Sequence, residues 1–330
     1  MTAILGFIAC TVVIFFAGKK LSYYGDLIGD LSGIGKAWVG LIMMSAVTSL
    51  PELMVGISSV AILEAPDLAT GDILGSCAFN LGILSLMDVF TPKDHPLFGH
   101  LSKSHILAAA FGIILIVFAG LGIFLDEDIV LTPSIGVTSI SFAIIYFISV
   151  TTIFKYQKSE FAEKEEAPEH RIELSLKQVV WRYIFFSLII ILVALALPHF
   201  AEQIAEKTGL GKSFVGTLFL AVSTSFPEIA VSIAAVRMGS TNMAVGNLMG
   251  SNIFNIFILF IDDLFYTKGH LLKDASDNHL ISVFSVIIMS CIAVIGIVFP
   301  SKHKNWYLSW DTILIFMVWT VNLVLLYQLT

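Results

Sequence analysis

Charge is scarce in this chain. Only 13% of its 330 residues are Asp, Glu, Lys or Arg, against 57% hydrophobic, and the mean hydropathy is +0.91. A water-soluble domain carries about 25% charged residues, so the composition excludes a soluble fold and predicts a membrane protein. Cysteine is rare as well. Cys10, Cys77 and Cys291 lie in apolar stretches without metal-ligand spacing and read as small buried apolar residues. The chain has no basic cluster of the kind that binds nucleic acid, and no protein partner is evident. Its eight histidines all fall in loops or at the ends of apolar runs. With no Ser/His or Cys/His pair inside a run, an intramembrane enzyme is not expected, nor an imidazole proton relay.

Long apolar runs, by contrast, fill the sequence. A membrane span needs about 20 mostly apolar residues, and ten segments qualify: 2–18, 37–61, 69–90, 104–124, 132–154, 178–199, 212–236, 243–265, 279–300 and 308–329. The opening MTAILGFIAC has no basic region before its apolar run, so a first span is expected rather than a cleaved signal peptide. Loops after the odd-numbered spans, counted with Arg182 just beyond the 155–177 loop, carry fourteen of the 18 Lys and Arg residues. The positive-inside rule therefore predicts a cell-membrane protein with those loops cytoplasmic and both termini extracellular or periplasmic. The one long hydrophilic stretch, 155–177, is expected to be a flexible or partly helical cytoplasmic linker between a first five-span unit (1–154) and a second (178–330).

The two units repeat each other. VGLIMMSAVTSLPELMVGISSV (39–60) matches VGTLFLAVSTSFPEIAVSIAAV (215–236), and GDILGSCAFNLGILSLMDVF (71–90) matches GNLMGSNIFNIFILFIDDLF (246–265). Among the identities are Thr48/Thr224, Ser49/Ser225, Pro51/Pro227, Glu52/Glu228, Ser76/Ser251 and Asn80/Asn255. These are polar or helix-breaking residues, not interchangeable apolar ones. Five spans per unit is an odd number, so the second unit enters the membrane from the opposite side. The predicted fold is thus an all-α polytopic membrane protein of ten transmembrane helices, arranged as two inverted-topology five-helix repeats. Secondary transporters built this way bind substrate near the midplane, between the repeats.

An acid at the centre of a span costs several kcal/mol unless it faces a partner or a wet cavity, which makes Glu52 and Glu228 functional candidates. Around them the pattern collects hard oxygen. A helix puts Thr48 and Glu52 on one face, with Ser49 beside them, and it aligns Ser76 with Asn80; Thr224, Ser225, Glu228, Ser251 and Asn255 repeat the arrangement. Pro51 and Pro227 break the backbone ladder and free carbonyls near Ser45–Val47 and Ala221–Ser223. Ca²⁺ takes six to eight oxygen ligands in a flexible shell, and the same oxygens suit Na⁺. Asp88 and Asp263, also matched, read as solvated acids at helix ends, and Asp72, paired with Asn247, as an entrance residue. Gly71, Gly75, Gly246 and Gly250 are spaced for close helix approach.

These motifs, TSLPE (48–52) with GSCAFN (75–80) and TSFPE (224–228) with GSNIFN (250–255), resemble the α-repeats of the sodium/calcium exchanger family within the calcium/cation antiporter superfamily. The resemblance implies a secondary active antiporter that extrudes Ca²⁺ against Na⁺ influx by alternating access, typically three Na⁺ per Ca²⁺, with the bilayer and these ions as partners and no cofactor. It further implies an ion-ligand set of Glu52, Glu228, Thr48, Ser49, Ser76, Asn80, Thr224, Ser225, Ser251 and Asn255, with the backbone carbonyls of Ser45 and Ala221. The potassium-dependent branch carries Asp where this chain has Asn255, so transport independent of K⁺, and electrogenic, is expected. Val47 and Ser223 stand where family members commonly have Gly, and Asp72 where Asn is more usual. A Ca²⁺/H⁺ antiporter using the same two glutamates is the alternative reading.

Overall fold

The computed structural model of the protein describes residues 2–99, 101–125, 130–132, 135–163, 174–208, 222, 224–304 and 307–329. Eight helices among these are long and apolar enough to cross a membrane. They are α1 (Thr2–Ser32), α4 (Pro66–Val89), α5 (Ser104–Phe124), α6 (Val137–Glu163), α7 (Leu176–Thr208), α9 (Thr241–Phe265), α10 (His279–Val298) and α11 (Trp310–Leu329). A ninth crossing is a broken one, α2 (Lys36–Thr48) followed by α3 (Leu50–Ala61) at a bend of 41°. The span expected at 212–236 is described only in its second half, α8 (Phe226–Arg237); most of 212–223 lies outside the described residues.

Two features depart from the sequence expectations. A short antiparallel hairpin, Val130–Thr132 with Ile135–Gly136, precedes α6 in an otherwise all-helical fold, and the fifth span starts at Val137 rather than 132. Val130, Thr132 and Ile135 are β-branched and suit an extended chain. Helix α1 also runs on to Ser32, well past the expected end at 18, and carries Lys19 and Lys20 on its surface rather than in a loop. Residues 155–163 extend α6, and 176 and 177 begin α7, so the ends of the linker are helical.

Burial sorts the helices into an inner and an outer set. In α4 and α9 78% of the most apolar window is buried, against 22% in α1, α6 and α11. The outer helices instead present large apolar side chains such as Phe16, Phe147 and Leu192 outward, where lipid would meet them. At the centre α4 packs on α9, α9 lies along α2, and α8 is braced by α1. Contact between α2 and α9 is close because side chains are missing there. A Cβ at Gly250 would overlap the Leu41 carbonyl, one at Gly40 would overlap that of Met243, and one at Gly246 would sit 2.6 Å from that of Ala37. Among the described residues, a Cβ at the matched Gly75 would meet nothing within 4 Å, and one at Gly71 would meet the His279 ring.

Candidate functional site

The broken helices come from the sequence. Ser49 has φ −90° and ψ 9°, outside the helical well, and Pro51 follows at the start of α3. There its missing N–H falls among the donors that a helix leaves unpaired anyway. Ser225 (φ −81°, ψ 6°) and Pro227 do the same at the start of α8. Each break leaves a glutamate in the first turn of the new helix, Glu52 in α3 and Glu228 in α8. The positive end of a helix dipole favours a negative charge at that position. Before the break, Val39–Met44 within α2 is wound as a π-helix, a form frequently found at functional sites.

Both glutamates are 1% exposed, and serines from both units hold them. Glu52 Oε1 lies 3.4 Å from the hydroxyl of Ser76 in its own unit and 3.4 Å from that of Ser225 in the other. Glu228 Oε1 accepts from Ser49 of the first unit at 3.1 Å and lies 3.4 Å from Ser251 of its own. The second oxygen of each carboxylate, Oε2, is buried with no hydrogen-bond partner. Thr48 Oγ1 lies 3.3 Å from Asn247 Oδ1 and 3.5 Å from the Ser251 hydroxyl. The Ser45 carbonyl accepts from the Ser49 N–H (2.9 Å) and from Thr48 Oγ1 (3.3 Å). Thr224 is buried beside Ser225, while Ala221 lies outside the described residues.

A second layer joins the inner helices. Asn80 Nδ2 donates to Asn252 Oδ1 at 3.1 Å, and Asn252 Nδ2 donates to the Cys77 carbonyl at 3.2 Å. Asn80 Oδ1 and both polar atoms of the Asn255 amide stay buried without a partner. The structure thus brings Ser45, Thr48, Ser49, Glu52, Ser76, Asn80, Ser225, Glu228, Ser251 and Asn255 into one buried polar region, lined with carboxylate and amide oxygens that lack donors. An orphaned buried oxygen costs about 1–3 kcal/mol, more when charged. Hard cations are the partners that carboxylate and amide oxygens without donors suit.

Sequence reasoning missed several residues here. Asn252 stands at the position matched to Cys77, and Asn247, which donates to Ser232 Oγ at 3.0 Å, at the one matched to Asp72. Neither is an identity between the copies, so a search for repeated residues passes over them. Asp262 was missed too, although an acid inside a span is itself the signal that finds it. Asp88 and Asp263, expected to be solvated, are buried. Each takes the backbone N–H of a residue in the following loop, Leu97 (2.9 Å) and Leu271 (2.8 Å), because those loops fold back over the helix ends. Asp88 also pairs with Lys304 at 3.2 Å.

The family model described as Sodium/calcium exchanger protein matches residues 2–155 and 178–328. The chain is 27% identical over 286 residues to the inner membrane protein YrbG of Escherichia coli, with 84% of each covered. It is 32% identical over 151 residues to the sodium/calcium exchanger MaX1 of Methanosarcina acetivorans, covering 44% of this chain and 41% of that protein. Among solved structures, the sodium-calcium exchanger NCX_Mj shares the fold with a TM-score of 0.76 at 19% identity, covering 98% of each chain. The chain is a multi-pass membrane protein that belongs to the sodium/calcium exchanger family, a family of transporters rather than enzymes.

Proposed function

We propose that the protein exchanges Ca²⁺ for Na⁺ across the cell membrane by alternating access, at a single site shared by its two matched units. One observation carries this reading. Each glutamate is hydrogen-bonded on one oxygen by serines from both units, while its other oxygen is buried without a partner. The ligands are Glu52, Glu228, Thr48, Ser49, Ser76, Asn80, Thr224, Ser225, Ser251 and Asn255, with the carbonyls of Ser45 and Ala221. On binding, Ca²⁺ takes the orphaned oxygens and replaces the serine protons at Oε1. Its +2 charge balances the two carboxylates, and Na⁺ ions share the same oxygens in the return half-cycle.

The architecture in this reading is ten spans in two inverted five-span repeats, 1–154 and 178–330, with the 155–177 linker cytoplasmic and both termini outside. The break in the family match between 155 and 178 supports that division. With Asn at positions 80 and 255 the exchange needs no K⁺, and three Na⁺ against one Ca²⁺ moves one net charge per cycle. Membrane potential acts on that charge with about 2.3 kcal/mol per 100 mV.

The test is Ca²⁺ flux in proteoliposomes under imposed Na⁺, H⁺ or K⁺ gradients, one at a time. An outward Na⁺ gradient should drive Ca²⁺ uptake without K⁺, at a rate that a membrane potential changes. Uptake driven at full rate by a pH gradient and indifferent to Na⁺ would replace this reading with proton antiport.

A further inference from the structure

Asp262 is the one buried acid in the described spans whose carboxylate oxygens both lack a hydrogen-bond partner. It is fully buried in α9, and its neighbour Asp263 is satisfied by Ser139 and the Leu271 N–H. Its carboxylate lies against Gly56 of α3, where any Cβ would overlap it. Gly56 is one turn beyond Glu52 on the same face of α3, and Asp262 is two turns beyond Asn255 on the same face of α9. The acid therefore sits directly beyond the Glu-centred site, on the side where α3 ends. Asp72, half-buried and with Oδ2 unpartnered, stands on α4, which packs against both α3 and α9.

The matched positions in the other copy are built differently. Opposite Gly56, Asp72 and Asp262 stand Ser232, Asn247 and Met87. There Asn247 donates to Ser232 and accepts from Thr48, and Met87 is a buried apolar residue, so that side is neutral and its polar groups are bonded. On the Asp262 side a serine has become glycine, an amide an acid, and a thioether an acid. Those three differences together open space and fill it with negative charge. A buried carboxylate with no partner is costly as an anion, so it either holds a proton or is compensated by a cation, which displaces that proton on binding.

We propose that Asp262 and Asp72 form a second cation subsite for a divalent ion such as Ca²⁺, on the route between the Glu52/Glu228 site and the membrane face where α3 ends. The proposal extends the antiport reading, but cation binding at Asp262 can be measured without any gradient. Equilibrium binding of radioactive Ca²⁺ to the purified full chain in detergent is compared for the wild type, Glu52→Gln, and Glu52→Gln combined with Asp262→Asn. Glu52→Gln should keep a class of bound Ca²⁺ that the combined variant loses. In vesicles, Asp262→Asn alone should raise the Ca²⁺ KM about tenfold with kcat little changed, since an approach site sets capture rather than turnover. If Asp262→Asn does not fold, Asp262→Met, which installs the residue of the matched position, takes its place. Identical Ca²⁺ binding by Glu52→Gln with and without the Asp262 change would overturn the subsite. Failure of Na⁺ to drive Ca²⁺ flux would instead strike the exchange reading, and the binding result would stand apart from it.

Discussion

The hydroxyl of Ser49 donates to Oε1 of Glu228 at 3.1 Å, across 179 positions of sequence. Ser225 stands toward Glu52 in the same relation at 3.4 Å. Each unit thus places its own serine on the other unit's acid.

Glu52→Gln and Glu228→Gln should each reduce Ca²⁺ uptake in proteoliposomes to background. Gln keeps the shape and the acceptor for the serines but removes a charge that the ion requires. Thermal unfolding in detergent should show no loss of stability, because a buried charge with an unpaired oxygen has been removed. Uptake near wild-type by either correctly folded variant contradicts the ligand assignment.

Ser49→Ala should weaken Ca²⁺ binding by roughly tenfold and leave the fold intact. It deletes a ligand hydroxyl together with a hydrogen bond to a charged group, which contributes about 1.5–3 kcal/mol. Ser225→Ala should match it. Calcium titration of both variants checks this, and a large effect from one serine with none from the other would break the reciprocal arrangement.

Matched glycines should respond differently. Gly250→Ala pushes a methyl group into the Leu41 carbonyl and should destabilise the protein by about 1–3 kcal/mol, whereas Gly75→Ala meets nothing within 4 Å among the described residues and should be tolerated. Melting temperatures in detergent decide the matter, and equal losses would contradict the close seating of α2 on α9.

Asp88→Ala should destabilise more than Lys304→Met. Removing the acid leaves the Lys304 ammonium buried against the carbonyls of Asp88 and Thr91 only, and an unpaired buried charge costs about 3–5 kcal/mol. Removing the lysine leaves Asp88 with the N–H groups of Leu97 and Ser309 and the hydroxyls of Ser309 and Thr312. The double variant should recover part of the loss in the same unfolding assay.

Asn255→Asp should change cation coupling more than stability. The wild-type amide has no hydrogen-bond partner, and the new acid adds a third carboxylate to the proposed site. Flux measured with and without K⁺ is the readout, and unchanged coupling would remove Asn255 from the site.

The class of the protein and the acids at its centre were legible in the sequence, because both rest on local quantities. Apolar length reports a span, and a proline after a Thr-Ser pair reports a broken helix with an acid in its first turn. Repetition then marked which polar residues matter, and Glu52, Glu228 and their serines do converge. Repetition also hid what differs between the copies. Asn252, Asn247 and Asp262 match Cys77, Asp72 and Met87, so no rule based on identity selects them. Their roles depend on which helix each one meets: Asn252 on Asn80, Asn247 on Ser232, and Asp262 on Gly56. The same limit applied to Asp88 and Asp263, where position near a helix end implied water until the loops closed over them. Sequence spacing orders residues along one helix. Which oxygens are left without a donor is decided only when α3, α4, α8 and α9 pack and exclude water from the space between them.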